Sequence, residues 1–335
     1  MAIVIIGRPG DVGGAATKIA DLIGLLNKSF EIDILVLERE ERSRIANGRH
    51  VSRENNVRVI RRDELSKSRH KAGIAVCELG FFESGVPELL KERGIPLVWS
   101  NDMMWEFSGE PEAVKNGLIN RVVFVSDLQR QYFERLYSDI EHRLIPNYVS
   151  PDRFPYLERV NQTFVVGRLS RPDPVKYPID FPVFYEELDL EDVRFRVQAW
   201  SEELRRKYSW HRFGPHWELL PAGKIPAAEF LSSLDLFVYP LGHQFKESWG
   251  RSTVEAMLTG CVPVVPAGHN FEKMFVHGES GFICSNFSEF KSIVGELYQN
   301  QTLRLKIGKT AASHCRSVLC NREEHRQLWI DAVSF

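Results

Sequence analysis

Cysteine is sparse in this chain, with five among 335 residues, and no two of them form a Cys-x-x-Cys pair. An odd, scattered set (Cys77, Cys261, Cys284, Cys315, Cys320) argues against a disulfide framework or a paired-cysteine zinc site. It fits a reducing compartment, so a cytoplasmic protein is expected. Nowhere do 18 apolar residues follow one another, which excludes an obvious membrane-spanning helix. The apolar run Met1–Ile6 is short and lacks a basic start, so it is not expected to be a signal peptide or a membrane span. Net charge is nearly absent too. Lys and Arg number 43 against 45 Asp and Glu, leaving −2 and no global field to attract nucleic acid or membrane. What remains is an ordinary soluble composition, 43% hydrophobic and 26% charged, in a chain too long for one core. Two domains are expected.

The apolar pattern gives their class. Ala2–Ile6 reads as a strand buried on both faces, and a glycine-rich turn follows it. Ile19, Leu22, Ile23 and Leu26 then make a helical stripe, and Ile32–Leu37 is the next strand. Strand, helix, strand in this order is a βαβ unit with a right-handed crossover and parallel strands. The alternation continues to a non-periodic, turn-forming stretch at Tyr148–Pro155, where the linker is placed. A second α/β series opens with Thr163–Gly167, and the chain ends in two helices, Thr302–Ser317 and Arg322–Val333. The fold class is α/β, two doubly wound domains in series. Such sheets bind ligands at the carboxyl ends of their strands, which here would face a cleft between the domains.

Three segments carry candidate chemistry. The first is the turn Gly7–Gly14, whose Gly13 and Gly14 let backbone N–H groups approach an oxygen-rich ligand at a helix start. Its glycines are not spaced as Gly-x-Gly-x-x-Gly, and they serve a plain tight turn equally well. The second runs from Tyr239 to Gly281. Glu247 lies on a loop and Glu255 in the first turn of a helix, with Gly250, Arg251 and Ser252 at its positive end. That spacing suits a ligand with both phosphates and hydroxyls, each charge-assisted hydrogen bond contributing about 1.5–3 kcal/mol. The plainer readings are a solvated Glu247 and a capping box formed by Ser252 and Glu255. The third is the loop after the first strand of the second domain, where Arg168 and Lys176 could clamp a diphosphate or merely be solvated.

Together these segments resemble the retaining GT-B glycosyltransferases, the nucleotide-sugar-dependent enzymes of family 4 (glycosyltransferase group 1). The carriers are the Glu247-to-Glu255 pair in ESWGRSTVEAM, the GCVPVV and GESGF runs after it, GRLSRPDPVK upstream, and Leu144–Val149, which is similar to an interdomain "IPNGV" element. Gly13-Gly14 fits the family's Gly-Gly turn. The resemblance implies a GT-B fold, two Rossmann-like domains facing a central cleft. Residues 1–150 would form the acceptor-side domain, 151–317 the donor domain, and 318–335 a helix returning to the first domain.

It further implies a hexose moved from a nucleotide-diphosphate sugar, UDP favoured over GDP, to a hydroxyl acceptor with retention. On this reading Arg168 and Lys176 bind the diphosphate, Glu247 the hexose, and Glu255 the ribose. Gly250, Arg251, Ser252 and Thr253 meet the phosphates, and the loop around Ala222 and Gly223 holds the base. No Asp-x-Asp is present, and no metal or other cofactor is implied. One departure concerns a family His in "WTLHDMWPFTG". Here the stretch Trp99–Gly109 places Asp102, or with a one-residue shift Asn101, at that position. A sugar-nucleotide binder without turnover is therefore the alternative. A nicotinamide dehydrogenase using Gly7–Gly14 and Glu38 is a more distant one.

Between Arg39 and Lys71 eleven Lys and Arg face five acids, nine of the eleven being Arg. Besides a solvated insertion, this fits docking of an anionic acceptor, with Arg58, Arg61 and Arg62 as candidates. It also allows peripheral contact with the inner face of a membrane or with nucleic acid.

Overall fold

The computed structural model describes residues 2–10, 13–37, 57–159 and 162–335. Glu38 and residues 39–56 of the Arg-rich segment lie outside the described residues. The chain divides into two compact units, Met1–Tyr148 with Asn321–Phe335, and Val149–Cys320.

The first unit is built on seven parallel strands: β1 (Ala2–Ile6), β2 (Glu31–Leu35), β3 (Arg58–Ile60), β4 (His70–Val76), β5 (Leu97–Ser100), β6 (Arg121–Phe124) and β7 (Glu141–Leu144). Their order is β3-β2-β1-β4-β5-β6-β7. Strand β1 is wholly buried, as a continuous apolar run between two neighbours should be. The two edge strands carry charge instead, Arg58 in β3 and Glu141 and Arg143 in β7, which discourages pairing with another chain. Helix Gly14–Leu26 buries Ile19, Leu22, Ile23 and Leu26. The last helix, Arg322–Ala332, packs on it, with Arg322 donating to the Gly24 carbonyl at 2.6 Å and Arg326 to Ser29 Oγ at 2.7 Å.

The second unit holds β8 (Phe164–Leu169), β9 (Val193–Gln198), β10 (Trp217–Leu220), β11 (Leu236–Val238), β12 (Val262–Pro266) and β13 (Phe282–Cys284), ordered β10-β9-β8-β11-β12-β13 and all parallel. An aromatic core including Tyr177, Phe181, Tyr185, Phe195 and Trp217 fills one side. The strand order reverses between β1 and β4 in the first unit and between β8 and β11 in the second. Loops leaving these strands at their carboxyl ends flank a natural ligand position.

Several local details depart from the sequence reading. The pattern over Phe271–Phe275 predicts a helix, but the chain there makes only a short 3-10 turn, Asn270–Lys273. The helix expected over Thr302–Ser317 runs Gln301–His314 and then widens into a π-turn, Cys315–Leu319. Strand β10 and helix Glu202–Lys207 leave no periodic signature in the sequence, being short and mixed in polarity. Among the described residues no helix is long and apolar enough to cross a membrane.

Candidate functional site

In the second unit the loops after β8 and β11 bring Lys176 and Glu247 together. Lys176 Nζ is 3.0 Å from Glu247 Oε2 and 3.4 Å from the Tyr239 hydroxyl, which itself donates to Glu247 Oε2 at 3.2 Å. Both charged side chains are largely covered, 12% and 11% exposed. Burial works against the Lys176 ammonium, but the Glu247 charge outweighs it and raises the lysine above its ordinary value. Phe245 lies beneath the same ammonium, its ring centre 4.5 Å away.

Arg168 does not present itself as the expected phosphate clamp. It is fully buried, its guanidinium 3.8 Å from the Tyr177 ring centre and 4.5 Å from that of Tyr239. It donates to the Pro240 carbonyl at 2.8 Å, to Ser170 Oγ at 3.3 Å and to the Lys176 carbonyl at 3.4 Å. A guanidinium spent on carbonyls and rings ties the two loops together rather than facing a ligand. Sequence spacing could not reveal this, because the two aromatic faces come from segments 62 positions apart.

The helix Arg251–Leu258 begins at Gly250, whose φ of 92° belongs to the left-handed region. A Cβ there would lie 2.5 Å from Phe271 Cε1, so both backbone and packing require glycine. No side chain caps this helix start. Ser252 is its second residue, not its N-cap, so the capping box does not form. Glu255 instead accepts from Arg251 Nε at 2.9 Å, one turn back. Thr253 is fully buried with its hydroxyl unpartnered.

The segment His269–Phe271 connects these features. The Glu247 backbone N–H donates to His269 Nδ1 at 3.1 Å, so this imidazole must carry its proton on Nε2. Burial, with Lys246 nearby, pushes the His269 pKa down to about 4. Neither His269 nor Phe271 was singled out in the sequence, since their roles depend on contacts 22 and 21 positions away. Ala222 and Gly223 sit on an exposed turn after β10. Gln198 fixes that turn's end by donating to the Ile225 carbonyl at 2.9 Å and accepting its N–H at 3.2 Å.

In the first unit Gly13 and Gly14 open the helix, and a Cβ on either would meet nothing within 4 Å. One turn along, Lys18 is buried. Its Nζ donates to Asp102 Oδ1 at 2.6 Å and Ser100 Oγ at 2.8 Å, with the Trp329 ring centre 5.6 Å away. The Asp102 N–H meets Cys77 Sγ at 3.0 Å. Asn101, the other candidate for the position, is wholly buried. Its amide donates to the Trp105 carbonyl at 3.0 Å and to both Glu110 oxygens at 3.2 Å. Of the two, only Asp102 keeps any exposed side-chain surface, 13%. Lys18 escaped sequence reading because it falls within the buried stripe of an amphipathic helix.

The acceptor candidates are dispersed. Arg58 forks onto buried Asp33, Nε at 3.0 Å and Nη2 at 2.9 Å, beside Arg69 and His70, each at 2.8 Å. Burial opposes the Asp33 charge, yet hydrogen bonds from Arg58, Arg69 and His70 hold its pKa well below the usual carboxylate range. Arg62 donates to the Ser84 carbonyl at 2.8 Å. Arg58 and Arg62 therefore serve the fold, Arg58 while still exposed, and Arg61 is exposed as well.

Comparison with known proteins agrees with this architecture. Residues 194–314 match the family model of glycosyl transferases, group 1. The structure of Anabaena Alr3699/HepE in complex with UDP and glucose is similar over 99% of both chains, with a TM-score of 0.77 at 15% identity. Sucrose-phosphate synthase from Thermosynechococcus elongatus is similar over 99% of this chain and 98% of its own, with a TM-score of 0.73 at 15% identity. No curated protein matches the sequence. The fold is that of the GT-B glycosyltransferases. Within that fold, residues 194–314 of the second unit are similar to the group 1 glycosyl transferases.

Proposed function

We propose that the protein transfers a hexose from a nucleotide-diphosphate sugar to a hydroxyl acceptor, with retention and without a metal. The observation that carries this is the Lys176–Glu247 pair lying after β8 and β11, joined through His269 and Phe271 to the uncapped helix start at Gly250. Lys176 and the N–H groups of Gly250, Arg251 and Ser252 receive the diphosphate, and Thr253 offers its unpartnered hydroxyl. As the glycosidic bond breaks, negative charge grows on the leaving diphosphate, and these fixed positive groups stabilise it. Glu247, oriented by Lys176 and Tyr239, accepts from hexose hydroxyls, and Glu255 from the ribose. Arg168 acts behind them by holding the loops. The exposed turn at Ala222 and Gly223 takes the base. UDP is the favoured nucleotide, since HepE is seen with UDP and glucose.

Asp102, held by Lys18, is assigned a sugar or acceptor hydroxyl, and Gly13 and Gly14 leave backbone exposed beside the same strand ends. Arg61 is the remaining candidate for an anionic acceptor, at a peripheral membrane or on a glycan phosphate. The same Lys18–Asp102 lock supports a second reading, a sugar-nucleotide binder without turnover, because an ion pair stands where the resemblance expects a histidine.

A thermal-shift panel of UDP-, GDP-, ADP- and TDP-sugars, followed by transfer assays with hydroxyl acceptors, tests both. Ligand at 100 times its Kd contributes about 2.7 kcal/mol, readily seen as a raised Tm. Stabilisation by UDP-sugar with transfer supports the enzyme, stabilisation without hydrolysis or transfer the binder, and no stabilisation by any member of the panel rejects the donor site.

A further inference from the structure

The turn that carries Lys176 is held from behind by a second lysine, remote in sequence. Lys207, the last residue of helix Glu202–Lys207, places its Nζ 2.6 Å from the Pro174 carbonyl and 2.6 Å from the Tyr177 carbonyl. These two carbonyls bracket the 3-10 turn Pro174–Lys176. Among the described residues no carboxylate stands within ion-pair distance of this ammonium; Arg168 opposes its charge and Asp173 favours it from farther off. A partly covered ammonium whose hydrogen bonds go to two backbone carbonyls, with the Tyr208 ring centre 5.4 Å away, fixes a turn at the cost of its own desolvation.

The opposite side of the turn is fixed as well. Gly242 N–H donates to the Lys176 carbonyl at 3.3 Å, and a Cβ on Gly242 would lie 2.3 Å from the Val175 carbonyl oxygen. The backbone is thus pinned between Gly242 and Lys207, and within that grip Lys176 points its ammonium at Glu247. Resting on the donor-site reading above, we infer that Lys207 is a positioning residue for Lys176: it touches no donor atom and acts by setting where the phosphate-binding ammonium stands.

This role differs from simple stabilisation in what it controls. With the turn released, Lys176 moves off Glu247, loses the charge that raises its pKa and keeps only the burial that lowers it. Affinity for the diphosphate then falls, and it falls further as the pH rises. An arginine at position 207 retains the donors for both carbonyls.

The test uses the full-length chain and UDP as probe, with calorimetric binding measured from pH 7 to pH 10. Lys207→Met is expected to weaken UDP binding about tenfold at pH 7 and to bring its alkaline decline to lower pH than in the wild type. Lys207→Arg is expected to restore both within about twofold. Lys207→Gln, too short to reach both carbonyls, should resemble Lys207→Met and serves if the methionine variant folds poorly. Wild-type affinity and an unshifted alkaline limb in Lys207→Met, alongside weakened binding in Lys176→Met, overturn the inference alone. Unchanged UDP binding in Lys176→Met overturns the donor-site reading, and the inference with it.

Discussion

Lys176 and Glu247, 71 positions apart, share one ion pair at 3.0 Å with Tyr239 as its third member. The sequence gives them separate duties, one toward phosphate and one toward sugar. Their contact means that Glu247 holds the lysine charged and that each fixes the direction of the other before any ligand arrives. A donor spanning both then meets a prepared pair instead of two mobile chains.

Removing the acid should separate binding from turnover. Glu247→Ala is expected to lower transfer by about a hundredfold or more, while UDP affinity at pH 7 stays within about threefold because the Pro174–Lys176 turn still holds Lys176 in place, although its alkaline decline should move to lower pH. Lys176→Ala should instead weaken UDP itself. Steady-state transfer and UDP calorimetry check this; normal turnover in both variants would falsify the assignment.

Gly250→Ala tests the helix start. The new Cβ meets Phe271 and the φ of 92° becomes strained, which should cost about 1–3 kcal/mol. UDP binding should weaken beyond what the loss of Tm explains, since the same shift displaces the helix N–H groups. Unaltered affinity in a destabilised variant would detach this helix end from the ligand.

His269 should make stability depend on pH. Its folded pKa drops to about 4 from 6.5, so an unfolded chain binds a proton that the folded chain refuses. The resulting stabilisation is fully present above pH 6.5 and is lost as the pH falls toward 4. The Tm advantage of wild type over His269→Asn should shrink across that window. A constant difference between pH 7 and pH 4 contradicts the buried neutral imidazole.

Lys18→Met should leave Asp102 beside buried Ser100 without its cation. The expected cost is about 3 kcal/mol, or roughly 6–12 °C in Tm for a unit of this size. Adding Asp102→Asn should recover part of it, because the pair is then removed together. Additive losses in the double variant would show that the two residues act independently.

Much of the frame was legible in advance because it rests on local pattern. The buried runs of β1 and β12, the helical stripe through Ile19 and Leu26, and the Glu247-to-Glu255 spacing all lie within short stretches. What escaped notice is what long-range contact decides. Strand β10 is four residues of mixed polarity whose pairing with β9 makes it a strand. Arg168 reads as a ligand-facing cation until Tyr177 and Tyr239 enclose it. Arg58 reads as part of a basic patch until Asp33 claims it.

The sequence by itself determined the two α/β series, the family to which they are similar and the chemical types gathered near strand ends, since periodicity and motif spacing are properties of neighbours along the chain. Only the tertiary structure decided which charges face outward and which are spent internally. Burial and partner distance fix the energy of a charge, and both depend on residues dozens of positions away, as Lys207 behind Lys176 and Lys18 against Asp102 demonstrate.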